Sequence, residues 1–311
     1  MSIICLADVH INTRRDLHYE VRRIKALGEA LSQAPMYPVV FCGDTFDRND
    51  PLLIDLHLFY NLCTALHPRP VHIFAGNHDY KVMPYLYGGD LFTVHTNPGF
   101  VEELNAYVLP WDHLQTFNKL IDRHTNTRLL LSHARCTIPP FIVEEFPIVT
   151  FSETFTLTVL GDIHQPLSPY SNVIYPSSPN NLDFTTYAPN SHGYLVVGDD
   201  LTTTRAHLDI PHREKRTVTA INSDMLQALD KQHLYKLMFE AEPGDMPRLR
   251  AILPPYVRVE FLPKVDRIAE GLDEKLQEFL TSKMSIEDML FQALADRDQR
   301  LVNEVRRRLR G

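Results

Sequence analysis

The chain has 311 residues, 44% hydrophobic and 23% charged, which is ordinary globular usage, and no apolar run approaches the length needed to span a bilayer. That length exceeds a typical single domain, so a large domain with a smaller appendage is expected. The net charge of −8 excludes a surface coated in basic residues, but not a nucleic-acid substrate met through local patches, because acidic metal ligands inflate the negative count.

Met1 leads straight into Ile3-Ile4-Cys5-Leu6, without the basic flank and cleavage site of a secretory leader, so a cytoplasmic protein with no membrane association is expected. The cysteines, Cys5, Cys42, Cys63 and Cys136, lack CxxC spacing and are expected to stay reduced. Ile3 to Ala7 reads as a strand, and Val21, Ile24, Leu27 and Leu31 mark one face of a helix. Val39 to Cys42 reads as a second strand, Leu52 to Leu66 as a helix and Val71 to Ala75 as a third strand, giving βαβαβ order. From Tyr107 onward strands follow one another: Tyr107 to Leu109, Arg128 to Leu131, Phe155 to Leu160, Val173 to Tyr175 and Tyr194 to Val197. Gly198-Asp199-Asp200 then predicts a hairpin into Thr202 to His207. The fold class is therefore mixed α/β, a two-layer mixed β-sandwich flanked by helices.

The composition changes near Pro211 to Ala220. Beyond it, strands at Leu234 to Glu240 and Val257 to Leu262 around a helix at Asp245 to Leu253 predict a small βαβ-like accessory domain. Two amphipathic helices follow, the second capped by Ser285 with Asp288 three residues on, and the chain ends in the basic run Arg306-Arg307-Arg308-Leu309-Arg310. The domain boundaries expected are 1–212, 213–265 and 266–311.

Chemistry-bearing residues stand directly after the apolar strands. Asp8 and His10 follow the first, Asp44 the second, and Asn77 and His78 the third; His133 follows Leu129-Leu130-Leu131-Ser132, and Asp162 and His164 follow Leu157 to Gly161. Loops at strand ends are held by a rigid sheet, so side chains distant in sequence can converge there. In Asp8-Val9-His10 and Asp162-Ile163-His164 the i, i+2 spacing puts both side chains on one side of an extended segment. Carboxylates, imidazoles and one amide without a thiolate suit manganese, iron or zinc, and there are enough of them for two divalent ions. Any one of these is an ordinary loop residue; five strand-terminal motifs in order are not.

This run of DxH, GD, GNHD, SH and GDxH resembles the calcineurin-like metallophosphoesterase superfamily. Gly43-Asp44-Thr45-Phe46-Asp47 and Tyr175-Pro176-Ser177-Ser178-Pro179 further resemble the GDxFD and YPGSP segments of SbcD-type nuclease subunits, including the shorter phage-encoded forms. The resemblance implies a metallophosphoesterase fold with a capping domain at 213–265 and a helical segment at 266–311 that docks on an SbcC-type coiled-coil ABC ATPase. It implies that Asp8, His10 and His164 hold one metal, that Asn77, His133 and Asp162 hold the other, that Asp44 bridges them, and that His78 is the acid or transition-state stabiliser. Mn²⁺ is the ion expected, with Mg²⁺, Fe²⁺ and Zn²⁺ as alternatives, and the protein is expected to dimerise. Two departures stand out: Asp162 occupies a position where the family has histidine, and Ser177 one where it has glycine.

The activity expected is metal-dependent hydrolysis of DNA phosphodiesters within a DNA repair and recombination complex. Arg48, Arg135 and Lys81, next to the ligands, are candidate phosphate contacts or surface ion-pair residues. The competing readings are a phosphatase or a small-molecule or cyclic-nucleotide phosphodiesterase on the same scaffold, and a non-catalytic scaffold protein.

Overall fold

Strands β1 (Ile3–Leu6), β2 (Val39–Cys42) and β3 (Val71–Phe74) are buried at every position, which an unbroken apolar strand requires when both faces of its sheet are covered. Alternate residues divide between two cores. Ile4, Leu6, Val39, Phe41, Val71 and Ile73 face helices α1 (Leu17–Ser32) and α2 (Leu53–Leu66). Ile3, Cys5, Val40, Cys42 and Phe74 instead pack in one cluster with Ala106, Val108, Leu129, Leu131, Leu157 and Val159 of a second sheet. The outer face of that sheet is covered by the 3-10 helical stretch Trp111–Lys119 and by α3 (Ile148–Thr154), through Leu114, Phe117, Ile148 and Phe151. This computed structural model describes residues 2–119, 127–135, 137, 146–184, 191–218, 221–240 and 253–262.

The remaining strands are β4 (Thr93–His95), β5 (Gly99–Val101), β6 (Ala106–Leu109), β7 (Leu129–His133), β8 (Leu157–Gly161), β9 (Leu167–Tyr170), β10 (Val173–Tyr175), β11 (Gly193–Val197), β12 (Thr203–His207), β13 (Arg213–Val218), β14 (Leu234–Glu240) and β15 (Val257–Leu262). One six-stranded sheet has the order β12-β11-β1-β2-β3-β4, the other β5-β6-β7-β8-β10-β9. The two-layer mixed sandwich read from the sequence is therefore the architecture: β1 to β4 are parallel with β11 antiparallel beside them, and β6, β7, β8 and β10 are parallel between antiparallel edges. The hairpin at Gly198 joins β11 to β12 as expected.

Periodicity misses β4, β5 and β9, which are short strands whose partly exposed residues show no clear apolar alternation. It also misses β13, whose Arg-Glu-Lys-Arg run reads as a solvated basic cluster. Val21, assigned to the buried face of α1, is 38% exposed, whereas Glu20 and Arg23 on the same helix are almost fully buried.

A third sheet has the order β13-β14-β15, with α4 (Ser223–Gln227) between β13 and its parallel partner β14 and a small core of Leu226, Leu229, Tyr235, Leu237 and Val257. The βαβ arrangement thus begins one strand earlier than the sequence suggests. The chain divides into two compact units, Met1–Phe239 with Arg250–Glu260 and Glu240–Leu249 with Phe261–Gly311. The helix expected at Asp245 to Leu253 falls almost wholly outside the described residues, and the helices expected beyond residue 266, with Cys136, fall outside them. No helix among the described residues is long and apolar enough to cross a membrane.

Candidate metal centre

The parallel strands of both sheets end at one edge, and each expected ligand leaves from such an end: Asp8 and His10 after β1, Asp44 after β2, Asn77 and His78 after β3, His133 as the last residue of β7, Asp162 and His164 after β8. The loops are laced by backbone bonds, from Asp8 N–H to the Gly43 carbonyl (3.2 Å) and from His10 N–H to the Asp44 carbonyl (2.9 Å). Close approach requires glycine. A Cβ on Gly43, at φ +82°, would lie 2.3 Å from the His133 ring, and one on Gly76 would lie 2.1 Å from an Asp44 carboxylate oxygen. Asp8, His10, Asp44 and Asp162 themselves adopt positive φ (57°, 49°, 51° and 100°), a conformation that costs energy and persists where the surroundings over-determine it, typically at functional sites. Ser177 does the same at φ +86°, in the place where the related motif has glycine.

The side chains converge. Asp44 Oδ2 lies 3.5 Å from His10 Nε2, 3.6 Å from His133 Nε2 and 3.9 Å from His78 Nε2. Asp8 Oδ1 lies 3.9 Å from both His10 Nε2 and His164 Nε2. Among the described residues three groups have donors close enough to hold an ion: Asp8, His10 and His164; His10, Asp44 and His78; and Asp8, Asp44 and His133. The Asn77 side-chain oxygen sits 3.1 Å from His133 Nε2.

Their partners set which nitrogen faces the centre. His133 Nδ1 is 2.9 Å from the Cys42 carbonyl, and His78 Nδ1 is 2.9 Å from the Asp47 carbonyl. A carbonyl can only accept, so both rings carry hydrogen on Nδ1 and direct Nε2 inward. His10 Nδ1 meets the Asp47 carboxylate at 3.1 Å, while its Nε2 is buried with no hydrogen-bond partner among the described residues. A buried, orphaned nitrogen facing two carboxylates is what an imidazole ligand looks like, and the donor set as a whole fits divalent cations.

The electrostatics agree. Burial pushes the Asp8 carboxyl up to about 7, with Asp44 and Asp162 adding to the rise. Burial opposes protonation of His133, but Asp44, Asp8 and Asp162 together outweigh it and raise the ring to about 9. His10 is raised too, because the Asp47 bond and the Asp44 and Asp8 charges overcome its burial. His164 is lowered to about 4 by burial and by the neighbouring His10. The excess of carboxylate that holds protons on His10 and His133 equally favours a cation, which must displace those protons to bind.

Asp162 is brought to the centre but belongs to none of the three groups: Arg135 Nε and Nη2 hold its oxygens at 2.8 and 2.9 Å. Arg48 is an exposed partner of Asp50 at 2.9 Å, and Lys81 offers its backbone N–H to Asn49. Three supporting residues escape a sequence reading. Asp47 takes His10, Asn12 and Arg15; burial disfavours its charge, but the His10 bond and the His10 and Arg15 charges hold its carboxyl down near 2. Asp79 receives the Gly76 and Phe46 N–H groups and so ties the second and third ligand loops together. Arg23 donates to the carbonyls of Val9 and His10 from inside α1. Asp47 and Asp79 sit within the GDxFD and GNHD segments, which is the signal that could have found them; nothing local marks Arg23.

No curated protein matches the chain. Residues 1–150, which include every expected ligand except Asp162 and His164, match the family model of the calcineurin-like phosphoesterases. Two mixed sheets flanked by helices are consistent with that fold, and the match, together with donors that converge where a cation would be held, supports a metal-dependent phosphoesterase of the calcineurin-like superfamily.

Proposed function

We propose that the chain is a metal-dependent DNA nuclease, the nuclease subunit of an SbcCD-type repair and recombination complex. The observation that carries the hydrolytic part is the Asp44 carboxylate within 4 Å of three inward-facing imidazole nitrogens, His10, His133 and His78. Asp8, His10 and His164 would hold one divalent ion and Asn77 and His133 the other, with Asp162 on that side and Asp44 shared between them. Mn²⁺ is the ion we favour, since mixed carboxylate, imidazole and amide donors without thiolate suit it. When bound, such a pair lowers the pKa of water and stabilises charge on the phosphoryl oxygens.

The chain's own residues do the rest. His78, half exposed, has its Nδ1 fixed by the Asp47 carbonyl and its backbone N–H on Asp44, which places its Nε2 at the centre, where it would give a proton to the leaving oxygen. Arg135, which reaches the centre through Asp162, and the exposed Arg48, which follows Asp47 in the chain, are the groups we assign to phosphate oxygens. A DNA substrate is supported by the GDxFD and YPSSP segments and by the accessory sheet β13-β14-β15, which we assign to a capping domain over 213–265. The segment 266–311 would dock on the ATPase subunit.

Mn²⁺-dependent cleavage of linear DNA compared with p-nitrophenyl phosphodiesters tests this reading. DNA degradation is the expected result; turnover of the small ester alone would leave a phosphodiesterase, and neither would leave a scaffold. Removing 285–311 should spare cleavage of simple DNA and abolish co-purification with the ATPase.

A further inference from the structure

The side chain of Asp162 reaches the centre but is engaged there by a cation of the chain's own, which its place after β8 does not suggest. Its oxygens are taken by the Arg135 fork at 2.8 and 2.9 Å, and the nearest imidazole nitrogen, His133 Nε2, stands 3.9 Å off. A bidentate guanidinium–carboxylate pair is among the stronger charge-assisted arrangements, and it fixes the carboxylate plane as well as its position. The backbone of Asp162 meanwhile works on another residue: its N–H reaches both Asp8 oxygens, at 3.1 and 3.2 Å, from a φ of +100°.

Charge points the same way. Asp8 and Asp44 are buried carboxylates of this centre, and an unshared Asp162 would add a third negative charge within it. Arg135 offsets that charge with one of opposite sign, so the pair is neutral as a whole, while the carboxylate keeps the guanidinium at the rim.

We propose that Asp162 is the anchor of Arg135 and not a metal ligand, so that the ion on the Asn77 and His133 side has fewer protein ligands and is the weaker of the two. The inference rests on the two-metal reading of the centre and adds an asymmetry to it. Asp162 is then a positioning residue, acting through Arg135 and, by its backbone, through Asp8.

A rescue experiment separates anchor from ligand. The metal-free full-length chain and its variants are titrated calorimetrically with Mn²⁺ alone, with circular dichroism to confirm folding. The wild-type chain should bind two Mn²⁺ with unequal affinity. Asp162→Ala leaves the Arg135 charge uncancelled beside the pocket, and the weaker Mn²⁺ should loosen by about tenfold or more. Adding Arg135→Ala should restore it to within about threefold of wild type, because the pair removed together is neutral. A double variant that stays as weak as Asp162→Ala, or loses the second Mn²⁺ outright, makes Asp162 a ligand and overturns the inference alone. A wild-type chain that fails to bind two Mn²⁺ overturns the two-metal reading and this inference with it.

Discussion

The two sides of the metal centre are held by different means. On the side of β1 and β2 the ligands are fixed by buried backbone bonds: the Asp8 and His10 N–H groups are tied to the next loop, the Val9 and His10 carbonyls are taken by Arg23, and the His10 ring is turned by Asp47. On the side of β8, Asp162 is held by an arginine that is one-third exposed, and the His164 side chain is 40% exposed. The family match covers the first side and stops before the second. A residue fixed through the backbone tolerates little change, whereas one fixed by an accessible ion pair can vary by exchange of two side chains. Geometry is thus fixed on one side and adjustable on the other.

The contrast breaks most severely at Arg23. This guanidinium is 1% exposed and serves Glu20, Asn180 and the Val9 and His10 carbonyls, while Glu20 also receives Arg213 at the start of β13. Arg23→Ala removes one partner of a buried charge pair and should cost about 3–5 kcal/mol in urea unfolding, with loss of Mn²⁺ binding. Arg135→Ala, its counterpart on the accessible side, leaves Asp162 without its cation but where water reaches, since the arginine is one-third exposed, and should cost clearly less in the same measurement; equal losses from both would erase the distinction drawn between the sides. Next comes His78→Ala, expected to lower turnover by about 10²- to 10⁴-fold with both Mn²⁺ retained. Loss of an ion would instead place His78 with His10 and Asp44 as a ligand, a grouping their geometry permits. Smaller still is Asp47→Ala, which frees the His10 ring without removing a ligand and should weaken Mn²⁺ by about 10- to 100-fold in calorimetry.

The ligand loops were legible because each follows an apolar strand whose end fixes it, and both sheets announce themselves by runs such as Val39 to Cys42 and Leu129 to Leu131. What hid was of two kinds. Edge strands such as β9 carry too few buried residues for a period to register. Buried charge hid because Glu20 and Arg23 on α1 look like a solvated i, i+3 pair until Arg213, almost two hundred residues on, is seen to close over them. The role of Asp162 was illegible for the same reason, since its spacing is that of a ligand and only the approach of Arg135 from the end of β7 says otherwise.

The fixed side also extends beyond the centre, in a form that pH can probe. β3 pairs with β4, and across that pair the rings of His72 and His95 stack at 5.2 Å with His72 Nδ1 3.0 Å from His95 Nε2. Burial lowers both from 6.5 to about 4, and His72 presses His95 further in the same direction, against a smaller opposing pull from Glu103. Between those two values the unfolded chain binds more protons than the folded one, so this pair's stabilising contribution is full above about 6.5 and is lost as pH falls towards about 4. Replacing both rings in His72→Gln/His95→Gln removes that difference in proton uptake. Urea unfolding midpoints measured across the window should therefore fall less steeply with acid in the double variant than in the wild-type chain. Parallel curves would mean that the rings take up protons equally in both states, and that the β3–β4 edge is open enough for water to reach them.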